Sequence, residues 1–104
     1  MKIEIGKSYW LAKFDVYDSF LMPIVIKKAK VRNGVKNYLV KKVTADKKSP
    51  AFTLSVMLKD VDKDNYVIGY HAAKIVESED AAREFIKEKY NDVICDIRNM
   101  RDHI

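Results

Sequence analysis

The sequence predicts an α+β protein: a small five-stranded antiparallel β-barrel over residues 1–76, followed by a C-terminal α-helix over residues 78–104, in a single domain. Three observations predict this. Apolar and polar residues alternate in short runs up to Val76, the pattern of half-buried strands. Asn33-Gly34 interrupts two of those runs as a hairpin turn does. Beyond Ser78 the apolar spacing changes to steps of three and four, the period of a helix.

The elements follow in order. Ile3 and Ile5 alternate with polar residues as a first strand segment. After Gly6, residues 7–14 place Tyr9 and Leu11 on one side and Trp10, Ala12 and Phe14 on the other. Residues 15–19 read as a loop, and Pro23 suits a strand start or a sheet edge. Residues 23–32 and 35–45 then flank Asn33-Gly34. A two-residue turn pairs Arg32 with Val35, Lys30 with Asn37, Lys28 with Leu39 and Ile26 with Lys41. In that register neither face is cleanly apolar. Either a bulge near Lys27-Lys28 switches the faces or the turn end projects beyond the core. Both arrangements send Lys28, Lys30 and Arg32 to solvent as a row, with Val31, Ala29 and Tyr38 behind them.

Residues 45–50 read as a polar connector. Residues 52–59 alternate with Phe52, Leu54, Val56 and Leu58 inward, and residues 60–65 form a turn. Residues 66–76 return as a strand with Gly69 as a bulge. Ser78 suits the N-cap of the helix, with Glu79 and Asp80 in its first turn. Its stripe is Ala82, Ile86, Tyr90, Val93, Ile97, Met100 and Ile104, widened by Phe85 and Ile94. Asn91-Asp92 is a candidate break. Unbroken, the helix runs about 35 Å, long for so small a barrel. Its stripe then either closes the barrel end or packs partly on another chain.

The chain has 104 residues, 48% of them hydrophobic and 34% charged, which fits one domain with a real core. No apolar run is long enough to span a bilayer. Glu4 and Lys7 interrupt any signal-type stretch, and the single Cys95 leaves no internal disulfide framework. A cytoplasmic protein without membrane contact is expected. Residues 1–50 carry a balance of +8 and residues 51–104 one of −3, within the net +5 of the chain. The densest part is Lys27–Lys42, with seven basic residues and no acidic one. Such a face attracts polyanions.

Several motifs fail on spacing. Gly6-Lys7-Ser8 ends like a phosphate-binding loop, but the glycine required five residues earlier is Met1. Asp60, Asp62 and Asp64 sit at the first, third and fifth places of a calcium loop, yet its sixth place is Asn65 and its twelfth His71. His71, His103 and Cys95 lack zinc spacing, so neither metal nor cofactor is expected. Cys95, beside Ile94, reads as a packed thiol. Among the aromatics that could stack unpaired bases, Tyr38 is the one inside the basic hairpin.

Four stretches together resemble the MazF/PemK toxin family: "IGKSYWLAKFD", "MPIVIKK", "YLVKKVT" and "GYHAAKIVES". The likeness covers roughly 70 residues. It implies an SH3-like sheet with a C-terminal helix, cleavage of single-stranded RNA and neutralisation by an antitoxin. It also implies a catalytic Thr44. The family's catalytic Arg precedes the Pro, and here that position is Met22. Without that cation the charge stabilisation of phosphoryl chemistry is lost. Lys27, Lys28 or Lys42 in its place is a point charge without the bidentate fork.

The leading expectation is therefore a binding module that contacts nucleic acid, RNA or DNA, through Lys27, Lys28, Lys30, Arg32, Lys36, Tyr38, Lys41 and Lys42. A second is a mobile-element protein, from a phage or plasmid, that binds an acidic surface on a host nucleic-acid-handling protein and inhibits it. A homodimer through the helix fits either. The third is a divergent endoribonuclease using Thr44.

Overall fold

A computed structural model describes residues 1–44 and 49–102. Most of the predicted connector and the last stripe residue, Ile104, lie outside the described residues. Five strands form one antiparallel sheet: β1 (Ser8–Lys13), β2 (Phe20–Arg32), β3 (Val35–Lys42), β4 (Phe52–Met57) and β5 (Ala73–Val76). Their order is β4-β3-β2-β1-β5, and one helix, α1 (Glu79–Asp102), follows.

The sheet departs from the predicted barrel at its edges. β4 and β5 do not pair with each other, so the strands do not close on themselves. Residues 66 and 67 lie between the two edges instead. Tyr66 bridges to Lys74 on β5, and Val67 bridges to Val56 on β4. The expected strand over residues 66–76 is thus a bridge, a turn and the short β5. Gly69 and Ala72 take positive φ values of 87° and 52° in that turn, where extended pairing is impossible. Ile3 is buried without being in a strand, and Leu58 is exposed in a 3₁₀ turn (Leu58–Asp60) rather than inward.

The hairpin matches its turn chemistry. Asn33 and Gly34 both have positive φ, 52° and 75°, as a two-residue turn with matching twist requires. Arg32 pairs with Val35, Lys30 with Asn37 and Lys28 with Leu39. The register then shifts between Ile26 and Lys28, so Ile26 pairs with Val40, not with Lys41. Lys27 is the extra residue of a bulge. With Lys27 set aside the alternation becomes regular: Ile24, Ile26, Ala29 and Val31 share one face, and Val25, Lys28, Lys30 and Arg32 the other. Pro23 sits inside β2, not at an edge. Its carbonyl accepts the Val43 N–H at 2.9 Å, so its missing donor points to where β3 has just ended.

The inner face holds the main core: Tyr9, Leu11, Ile24, Ile26, Tyr38, Val40, Leu54, Val56 and Ile75. Ile3, Val61 and Val67 cover it from the loops. On the opposite face α1 packs over β1 and β5, where Ala82 and Phe85 meet Ala12, Phe14 and Val76. Ser78 caps the helix as expected, its Oγ accepting the Ala81 N–H at 3.1 Å. The helix is continuous through Asn91-Asp92. Tyr90 still reaches Phe14 edge-on, with ring centroids 4.9 Å apart, and Val93 touches the same cluster. Beyond Val93 the stripe is open: Ile94 is 45% exposed, Ile97 60% and Met100 67%. No helix among the described residues is long and apolar enough to cross a membrane.

Candidate functional site

The helix covers β1, β5 and the start of β2, where Leu21 joins its cluster. Among the described residues the rest of that face, on the hairpin end of β2 and on β3 and β4, stays open, and the bulge decides what it carries. Lys28, Lys30 and Arg32 stand on it in a row, all exposed. Alternate strand residues are about 7 Å apart, so the row presents one cation per step. Beside it on β3 lie Val35, Asn37, Leu39 and the half-buried Lys41. Thr53, Ser55 and Met57 on β4 complete the surface. Ser55 Oγ donates to Asn37 Oδ1 at 2.5 Å, which holds the Asn37 side chain across the strands. None of these residues is acidic.

At the foot of the row, where β3 ends beside the start of β1, a groove of about 460 Å³ opens. Lys27, Lys41 and Lys42 line it together with Ser8, Thr44 and Ser49. The Thr44 and Ser49 hydroxyls are 3.1 Å apart. The bulge explains the presence of Lys27: the extra residue is pushed out of the ladder opposite the Leu39–Val40 step of β3.

Not every expected contact residue joins this surface. Tyr38 lies on the core face opposite Ala29, 1% exposed, and its hydroxyl has no hydrogen-bond partner among the described residues. Its ring is enclosed by the sheet's own side chains and offers no face to a base, contrary to the expected stacking role. Burial pushes the Tyr38 phenol up from its ordinary pKa, with smaller contributions from Asp62 and Tyr9. Lys36 shares the Tyr38 side, its ammonium 5.5 Å from that ring's centroid, and stands off the row. Met22 packs against the main core and supplies no cation near Thr44. Cys95 is exposed rather than packed, because the helix has left the sheet by that point.

The aspartates of the calcium-like stretch build a turn: the Asp60 carbonyl accepts the N–H groups of Lys63, Asp64 and Asn65. Asn65 takes the positive φ that a glycine would. Among the described residues no group of three or more His, Cys, Asp and Glu side chains comes together. Glu4 pairs with Lys7, which lowers the Glu4 pKa and raises that of Lys7, chiefly through their hydrogen bond. Lys7 is thereby neutralised locally and adds little to the basic surface.

Sequence reasoning missed Ser8 and Ser49, which meet the lysines only through folding. Tyr66 is among the aromatics the sequence places near basic residues, but its neighbours Lys74 and Lys89, at 5.4 and 5.9 Å from its ring centroid, are not signalled by local spacing. No family model matches the chain, and neither a curated protein nor a solved structure does.

Proposed function

We propose that the protein is a small binding module that contacts the phosphate backbone of nucleic acid through the bare face of the β2–β3 hairpin. One observation carries this reading. The bulge at Lys27 sets Lys28, Lys30 and Arg32 on the same face as Lys41, and among the described residues no carboxylate shares it. Phosphates spaced along a strand suit cations spaced along a strand. The exposed aromatics lie elsewhere, so contact is to backbone rather than base, and sequence preference is weak. Four neutralised phosphates on a single strand give a slope of log K against log salt of about −3. Fluorescence anisotropy with a labelled oligonucleotide over a salt series tests this. No binding at low salt, or binding that survives high salt undiminished, ends the proposal.

A second reading is favoured by the exposed end of α1. There the module inhibits a host nucleic-acid-handling protein, with Ile94, Ile97 and Met100 meeting a partner or a second copy. Capture from host lysate with and without nuclease separates the two, since a nuclease-resistant partner supports the inhibitor. Endoribonuclease activity rests on Thr44 beside the three lysines. Cleavage by the wild type that is lost in Thr44→Ala supports it, and no cleavage by the wild type removes it. The sheet itself we read as SH3-like in type, supported by the way residues 66 and 67 link its two edges. Each reading takes the protein to be cytoplasmic.

A further inference from the structure

The row and the groove supply cations in different amounts. Along β2 one charge stands at each step of about 7 Å, which suits backbone diesters carrying one negative charge apiece. In the groove three lysines, Lys27, Lys41 and Lys42, line the same wall as Ser8, Thr44 and Ser49. A backbone diester, with one charge and two free oxygens, leaves such a set largely unused. A terminal phosphomonoester carries close to two charges at neutral pH and three strong acceptor oxygens. Among the described residues no acidic side chain lines the groove. Its volume of about 460 Å³ lies in the range of sites that hold a small molecule. It also lies where the row ends, at the last residues of β3.

We infer that the groove is a subsite for the phosphorylated end of a nucleic-acid strand whose following phosphates lie along Lys28, Lys30 and Arg32. This rests on the nucleic-acid reading above and adds the recognised group to it. The chain end is held by Lys27 and Lys42, and Lys41 lines the groove while standing on the face of the row.

The test uses the full chain and three internally labelled oligonucleotides of one sequence: hydroxyl-ended, 5′-phosphorylated and 3′-phosphorylated. Anisotropy titrations compare wild type, the double variant Lys27→Gln with Lys42→Gln, and Lys30→Gln. Lys27, Lys42 and Lys30 are all exposed, so the variants retain the wild-type circular dichroism spectrum and melting temperature. One phosphorylated oligonucleotide is expected to bind the wild type about fivefold or more tightly than the hydroxyl-ended one. The double variant loses that gain but still binds the hydroxyl-ended strand. Lys30→Gln weakens all three alike and keeps the gain. Equal binding of the three by wild type, or a gain that persists in the double variant, overturns the inference and leaves backbone binding standing. Absence of any binding at low salt overturns both. Adenosine 5′-monophosphate competing as well as the phosphorylated oligonucleotide assigns the groove to free nucleotides and overturns the strand-end role.

Discussion

Tyr38 shows how one residue tests the division between the two faces. Its ring fills the core between Ala29 and Leu54, while its hydroxyl has no partner among the described residues. A buried hydroxyl without a hydrogen bond costs about 1–3 kcal/mol of desolvation. Tyr38→Phe keeps the ring and removes that cost, so the urea midpoint should rise by the equivalent of about 1 kcal/mol. Oligonucleotide affinity should stay unchanged, because the ring does not reach the basic face. The phenol has a pKa raised by burial. The native state therefore holds its proton more tightly than the unfolded state does. Stability from this group is full below the unfolded tyrosine pKa of about 10 and falls as pH climbs above it. An alkaline denaturation series should show that fall in wild type and a shallower one in Tyr38→Phe. The Tyr38 side of the strand was legible in the sequence, since Ala29 and Val31 share it. Its burial was not, because that depends on Leu54 and Ile26, which arrive from another strand and from across the bulge.

At the scale of the element, the hairpin depends on its turn and its bulge. Adding a Cβ at Gly34 meets nothing within 4 Å, so the cost of Gly34→Ala is that of the backbone alone. At φ +75° that cost is about 1–2 kcal/mol, to be read from the same urea midpoint. The bulge makes a sharper prediction. Deleting one lysine of the Lys27-Lys28 pair leaves Ile26 opposite Val40 and Lys30 opposite Asn37. The fold and the row should survive, with only the groove losing a cation. Deleting Ala29 instead sets a lysine opposite Tyr38 on the core face, where an unpaired charge is not tolerated. That chain should melt well below wild type or fail to fold, as followed by circular dichroism. Asn33-Gly34 made the turn readable, and the mixed faces pointed to a bulge. The register past Lys27 was not readable, because β1 and the loops decide which side of Ile24 and Ile26 is buried.

For the whole molecule, the helix divides into a docked half and a projecting half. Phe85 packs in the cluster between α1 and the sheet, so Phe85→Ala should cost about 3–5 kcal/mol. Ile97 faces solvent, so Ile97→Asp should change the melting temperature little. If the projecting half joins two copies, the same substitution converts a dimer to a monomer in sedimentation. The stripe was legible from Ala82 onward, but its continuity past the candidate break at Asn91-Asp92 was not. Where the sheet stops beneath it was not, because that edge is set by β5, which is only four residues long. The long strand expected over residues 66–76 had hidden that limit.

The position of the bulge sets a rule for how this hairpin can change length. Lys27 absorbs the mismatch between the half of β2 that serves the core and the half that carries charge. Beyond it, residues added in matched pairs on β2 and β3 leave every inward side chain inward. Each such pair of steps moves the Asn33-Gly34 tip outward by about 7 Å and offers one more outward position on each strand. A single added residue inverts the sides. The arm is thus extensible in whole steps and closed to half steps, and its reach along a polyanion is countable in residues.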